Sequence, residues 1–203
     1  MKLVCATGNA GKLKEIREIL AGSDIEVFSM KEMGINTDIN ENGTSFYENA
    51  LIKSQTIKNA LDCNGEKDCI VLSDDSGLEI DYLGGAPGIY SARFMGEDTN
   101  YEIKNNALIE KLNGVSDEKR TARFACSMVA IMPDGKELTS YETMEGIIAR
   151  KPGGTNGFGY DPILYLPDYG CTSAELDPAE KNRISHRGKA LREIVRLILE
   201  CNL

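Results

Sequence analysis

The sequence predicts a mixed α/β fold. Helical and strand periodicities alternate along it, its opening segment reads strand, loop, helix, and no repeat, low-complexity tract or change of composition divides it. At 203 residues the chain can bury a sizeable core without disulfides or a structural metal, so 1–203 is expected to form one domain. Residues 2–6 are an apolar run suited to a buried strand, 7–11 a loop, and Leu13, Ile16 and Leu20 then recur at helical spacing. A second helix is expected over about 45–64, and 69–74 and 78–82 read as strands flanking a polar turn. Residues 99–112 suit a further helix. The run TARFACSMVAIM from Thr121 is strand-like, Pro133-Asp134-Gly135 supplies a turn, and 137–148 return as the hairpin partner. Asp177-Pro178-Ala179-Glu180 sets a capping residue before a proline at the first helical position, so a short helix starts there. Leu191, Ile194, Val195 and Ile198 share one face of a last helix that ends near Cys201.

Charge narrows the function. With 23 Lys and Arg against 32 Asp and Glu the formal charge is -9, which argues against a nucleic-acid partner bound along a basic stripe. A polyanionic ligand must meet a local basic site, with a divalent cation as a natural intermediary to protein carboxylates. MKLVCATG enters a strand-like run directly and no stretch has the apolar length to span a bilayer, so a cytoplasmic protein without a membrane partner is expected. Cys5, Cys63, Cys69, Cys126, Cys171 and Cys201 form no CxxC pair and no zinc-ligand cluster, which fits reduced structural thiols.

Several segments carry candidate chemistry. Thr7-Gly8-Asn9-Ala10-Gly11-Lys12 leads from a strand into a helix, where backbone amides, the helix dipole and the Lys12 ammonium favour an anion. It is neither a Walker A loop nor GxGxxG, and a tight turn capped by Asn9 explains it equally well. In Ser73-Asp74-Asp75-Ser76-Gly77 adjacent carboxylates repel unless a cation or donors compensate. Strand alternation points them oppositely, so only one need serve as metal ligand or base, and Asp75 is taken as that one; a solvated turn is the plain alternative. Glu41, just before a helix, could add a second carboxylate to the same cation. The glycine-rich stretches LGGAPGIYSAR and GGTNGFGYDP are ordered loops, the second offering Phe158 between glycines as a stacking face for a base or as a simple apolar plug. Finally, His186, the single histidine, and Arg187 open the last helix and group with Lys181 as donors for keto oxygens or phosphates, or as ordinary helix-end charge.

Together ATGNAGK, ENGTSFYENA, SDDSGL with LGGAPGIYSARF, GFGYDP and SHRGKAL follow one another in an order and spacing that resembles the noncanonical purine nucleoside triphosphate pyrophosphatase family, also called inosine triphosphate pyrophosphatases, nearly end to end. The resemblance implies a long central mixed sheet, two lobes flanking a substrate cleft, a homodimer, and Mg²⁺ or Mn²⁺. It implies that Thr7, Gly8, Asn9, Ala10, Gly11 and Lys12 meet the triphosphate, that Glu41 and Asp75 hold the metal, and that Asp75 accepts the proton of the attacking water. Lys53 would add charge near the phosphates and Ser76 would touch substrate. Phe158 would stack on the base, while Gly159, Tyr160, Asp161, Lys181, His186 and Arg187 complete its pocket. The implied reaction is attack of metal-activated water on the α-phosphorus of ITP, dITP or XTP, giving the monophosphate and pyrophosphate and clearing deaminated purines from the nucleotide pool. Two rivals stay open at this point. One is a related pyrophosphatase acting on modified pyrimidines or ordinary triphosphates, and the other is a silent nucleotide-binding regulator, which the joint presence of Lys12, Glu41 and Asp75 disfavours.

Overall fold

The computed structural model describes residues 1–201. Its strands are β1 (Lys2–Cys5), β2 (Glu26–Ser29), β3 (Ile70–Ile80), β4 (Thr121–Ile131), β5 (Glu137–Ile148), β6 (Leu164–Leu166) and β7 (Cys171–Thr172). Its helices are α1 (Ala10–Ile19), α2 (Phe46–Cys63), α3 (Tyr101–Lys111), α4 (Pro178–Ile184) and α5 (His186–Cys201). The strands form one mixed seven-stranded sheet in the order β2-β1-β3-β4-β5-β6-β7. β1 runs parallel to both neighbours, with Leu3 opposite Val27 and Ile70, whereas β6 is antiparallel to β5 and to β7. Two compact units follow from the contacts: Met1–Asp75 with Cys126–Glu142 and the chain from Gly188 onward, and Ser76–Ala125 with Thr143–Arg187.

In the first unit β1 and β3 are covered on both faces, which is why they read as continuous apolar runs rather than alternating ones. Leu3, Cys5, Ile70 and Leu72 pack with Ile16 of α1, with Leu20 just after it, and with Leu191, Ile194 and Ile198 of α5. Val4, Ala6 and Val71 point the other way, onto Ile57 and Leu61 of α2. Burying each such side chain contributes about 1.5–3 kcal/mol, so these two stripes fix the register of the sheet against its helices. α1 starts where Asn9 caps it, Oδ1 accepting from the amides of Gly11 and Lys12, and α2 starts where Ser45 accepts from Glu48.

The second unit has its own core of Leu78, Ile80, Leu108, Leu112, Phe124, Met144, Ile148, Ile163 and Leu164. Arg120 lies buried beneath it and donates to the carbonyls of Leu112, Ile148 and Ala149, satisfying the end of α3 and of β5 together. Among the described residues no helix is long and apolar enough to cross a membrane. Cys5, Cys69 and Cys126 are buried free thiols, while Cys63 and Cys201 are exposed.

Three sequence expectations change. The loop after β1 is shorter than 7–11, because the Asn9 cap draws Ala10 and Gly11 into α1. The polar turn expected between strands at 69–74 and 78–82 does not exist: β3 runs unbroken through Ser73, Asp74, Asp75, Ser76 and Gly77. Those polar side chains find buried partners, so the strand need not turn out to water. The short β2, β6 and β7 carry too few residues for a periodicity to show and were not expected.

The glycines before GFGYDP set one constraint. Gly154 has φ +73°, and a Cβ there would overlap the carbonyl of Ala174. Gly154→Ala is therefore expected to destabilise the protein by about 3 kcal/mol through strain and overlap. Thermal melting checks this, and an unchanged Tm would show that the segment is not held as described.

Candidate functional site

The sequence-predicted residues fall into two groups, one in each compact unit. The first is built on β3. Ile70 and Leu72 of that strand face α1 and α5 and Val71 faces α2, and the same alternation parts Asp74 and Asp75 to opposite faces. Asp74 Oδ2 pairs with Lys12 Nζ at 2.8 Å, and Asp74 is buried. Asp75 Oδ1 meets Lys53 Nζ at 3.3 Å and its Oδ2 accepts from Asn49 Nδ2 at 3.1 Å. Lys53 Nζ also lies 2.8 Å from Glu41 Oε2, so a single buried ammonium joins the two carboxylates expected to hold a metal.

Burial disfavours the Lys53 ammonium, but the carboxylates of Asp75, Asp74 and Glu41 outweigh it and hold the group above its ordinary range. Burial pushes the Asp75 carboxyl up, and Lys53, Lys12 and Asn49 offset this only in part. A buried carboxylate in that condition favours a further cation. Among the described residues no three His, Cys, Asp or Glu side chains gather as a metal set. Two carboxylates with hard oxygen donors still suit Mg²⁺, which is commonly bound by one or two carboxylates, with waters and substrate phosphates completing its shell.

At the glycine loop the tight-turn reading holds for the side chain of Asn9. The amides of Gly11 and Lys12 are taken by its Oδ1 at 2.9 and 3.1 Å, and Thr7 Oγ1 accepts from the Asn9 amide at 3.2 Å. What this segment offers an anion is thus chiefly Lys12 and the dipole end of α1, with Gly8, Asn9 and Ala10 exposed.

The second group surrounds Phe158. Its half-buried ring has Lys181 Nζ 5.3 Å and the Arg187 guanidinium 5.5 Å from its centroid. Arg187 also donates to Ser76 Oγ at 2.9 Å, and His186 packs on Phe124 with centroids 5.0 Å apart. Asp161 works inside the loop. It is buried, and its carboxylate accepts from the Phe158 amide, from Lys181 Nζ and from Ser173 Oγ at 2.7–2.8 Å. Tyr160 is a buried strut: its hydroxyl donates to the Ser91 carbonyl at 2.7 Å and its ring stands edge-on to Tyr101 at 5.2 Å. Burial pushes the Tyr160 phenol far up, so it stays a neutral donor. Asn105 of α3 donates to the Gly159 carbonyl at 3.2 Å.

Sequence reasoning passed over Asn49, Ser91, Tyr101, Asn105 and Ser173, all partners of the named residues. For Asn49 there was a signal, since it precedes Lys53 by one helical turn on α2. The others lie 12 to 69 residues from their partners in the chain, Ser91 through its carbonyl and Tyr101, Asn105 and Ser173 through their side chains, and no local spacing announces such contacts.

The raised Asp75 carboxyl costs folding free energy when ionised, a cost present above its folded-state value and relieved as pH falls through it. Asp75→Asn is therefore expected to melt above the wild type in metal-free buffer at about pH 7.5, with the gap closing toward about pH 4. A lower Tm for the variant at neutral pH would contradict this assignment.

Comparison with known proteins adds independent findings. The sequence model of the Ham1 family matches residues 3–197. The dITP/XTP pyrophosphatase of Clostridium perfringens is 45% identical over 95% of this chain and 95% of its own. That of Caldanaerobacter subterraneus is 46% identical over 98% and 97%. Among solved structures, a HAM1 protein from Coxiella burnetii superposes with a TM-score of 0.85 at 38% identity, covering 98% of this chain and 99% of its own. The Staphylococcus aureus Ham1 protein gives 0.85 at 36% identity over the full length of both.

Proposed function

This chain belongs to the Ham1 family, and on that premise we propose that it hydrolyses deaminated purine nucleoside triphosphates, ITP, dITP and XTP, to the monophosphate and pyrophosphate. The observation that carries the reading is the Glu41–Lys53–Asp75 cluster, its lysine and aspartate buried, together with the Lys12–Asp74 pair on the other face of β3. Costly buried charge of both signs, gathered next to a helix N-terminus, is suited to a triphosphate and its counter-ion.

In this reading Glu41 and Asp75 hold Mg²⁺, or Mn²⁺ in its place. The bound ion would supply charge neutralisation and Lewis acidity at the phosphates. Asp75 accepts the proton of the water that attacks the α-phosphorus, and burial, by raising its carboxyl, makes the carboxylate a stronger base. Lys12 and Lys53 offset charge on the departing pyrophosphate, and Thr7, Gly8, Asn9, Ala10 and Gly11 line its path. Phe158 stacks on the base, which contributes roughly 1–3 kcal/mol. Arg187, His186 and Lys181 present donors to a 6-keto oxygen, and Ser76, fixed by Arg187, contacts the nucleotide. Gly159, Tyr160 and Asp161 shape the pocket from the loop side, the last two through the hydrogen bonds that hold that loop. Adenine carries an amino group where those donors need an acceptor, and a site built to hydrogen-bond a keto group rejects it. We take residues 1–203 as one catalytic domain, working as a homodimer in the cytoplasm on a small-molecule substrate, without nucleic acid or membrane.

The test is a panel of ITP, XTP, GTP, ATP and dTTP with Mg²⁺, the products separated by chromatography. Monophosphate and pyrophosphate should form from ITP or XTP with kcat/KM at least about 100-fold above that for ATP. Orthophosphate with diphosphate would overturn the cleavage site, best turnover of dTTP or ATP would overturn the substrate class, and tight binding without turnover would make the protein a nucleotide sensor.

A further inference from the structure

Asn49 is fully buried, yet no role in substrate or metal binding accounts for it. Both ends of its amide are used: Nδ2 donates to Asp75 Oδ2 at 3.1 Å, and Oδ1 accepts from the Gly43 amide at 2.9 Å. Gly43 follows Glu41 by two residues, so this one side chain ties the segment carrying Glu41 to the strand carrying Asp75. The segment lies hard against α2. A Cβ on Gly43 would sit 2.7 Å from Glu48 Cβ and 2.8 Å from Asn49 Oδ1. Thr44 reinforces the contact, its amide and hydroxyl donating to Glu48 at 2.6 and 2.7 Å.

We propose that Asn49 is a positioning residue that sets the spacing of the Glu41 and Asp75 carboxylates for a divalent cation. Lys53, one turn along α2, also bridges these groups, but its charge competes with any ion they would bind. A neutral amide does not compete. By occupying Oδ2, Asn49 turns Oδ1 of Asp75 toward the place where Lys53 and Glu41 meet, whichever cation stands there. Partners of this kind, one bond behind the metal ligands, typically change metal affinity about 10- to 100-fold when removed.

The inference rests on the metal assignment above, and the experiment separates the two. Mn²⁺ binding to nucleotide-free protein is followed by electron paramagnetic resonance for the wild type, Asn49→Leu and Gly43→Ala, with circular dichroism to confirm folding. Asn49→Leu keeps the volume and removes both bonds, so Mn²⁺ should bind about 10- to 100-fold more weakly. Gly43→Ala leaves Asp75 untouched but crowds Oδ1 of Asn49, so affinity should fall in the same direction by a smaller factor; it carries the test if the leucine variant does not fold. The Mg²⁺ needed for half-maximal activity should rise in parallel while kcat at saturating Mg²⁺ recovers, which a general loss of structure would not produce. Wild-type Mn²⁺ affinity in both variants overturns the role of Asn49. A wild type that binds no Mn²⁺ overturns the metal assignment itself, and this inference with it.

Discussion

Two carboxylates adjacent in sequence, both buried, are the constraint around which the first unit is organised. Neither Asp74 nor Asp75 can stay ionised inside a protein without a partner, because the loss of hydration exceeds what the interior returns. The strand solves this by its own geometry. Alternation sends Asp74 to the face covered by α1, where Lys12 waits, and Asp75 to the face covered by α2, where Lys53 and Asn49 wait. Each helix therefore has a chemical as well as an apolar reason to sit where it does. The same period-2 pattern that seats Leu72 on one side and Val71 on the other delivers the charges.

Compensation is incomplete, and that incompleteness is useful. Burial holds Asp75 above its ordinary range despite two lysines and an amide, so its loss of hydration is not fully offset. A divalent ion accompanying a nucleotide would correct the deficit. Stability is sacrificed at the position where the proposed chemistry needs a reactive carboxylate, as functional sites commonly require. The second unit shows the opposite economy around Phe158. There Asp161 is met by two side-chain donors and a backbone amide, and the rigid loop presents a ring with cations near it.

Much of this was legible in the sequence. Helices with a clean apolar stripe or a strong cap, such as α2 behind Ser45 and α5 with Leu191, Ile194 and Ile198, stand close to where their periodicity puts them. Alternation also predicts that Asp74 and Asp75 part to opposite faces, and they do, one meeting Lys12 and the other Lys53 and Asn49. Errors arose where tertiary partners overrode local polarity. Residues 73–77 read as a turn because their partners lie on helices distant in the chain. The start of α1 is a local matter, set by the Asn9 cap that the sequence offers as one of two readings of that loop. Roles assigned by type also blurred. Tyr160 and Asp161 were grouped with the base pocket, yet their polar atoms are spent on Ser91, Ser173, Lys181 and the Phe158 amide, which only coordinates could reveal.

In the proposed reaction water, relieved of its proton by Asp75, attacks the α-phosphorus of a deaminated purine triphosphate. Hydrolysis of ITP in ¹⁸O-labelled water, with mass spectrometry of both products, tests it most directly. The account predicts one labelled oxygen in inosine monophosphate and none in pyrophosphate. Label in pyrophosphate would mean attack at the β-phosphorus and would contradict the assignment of the site.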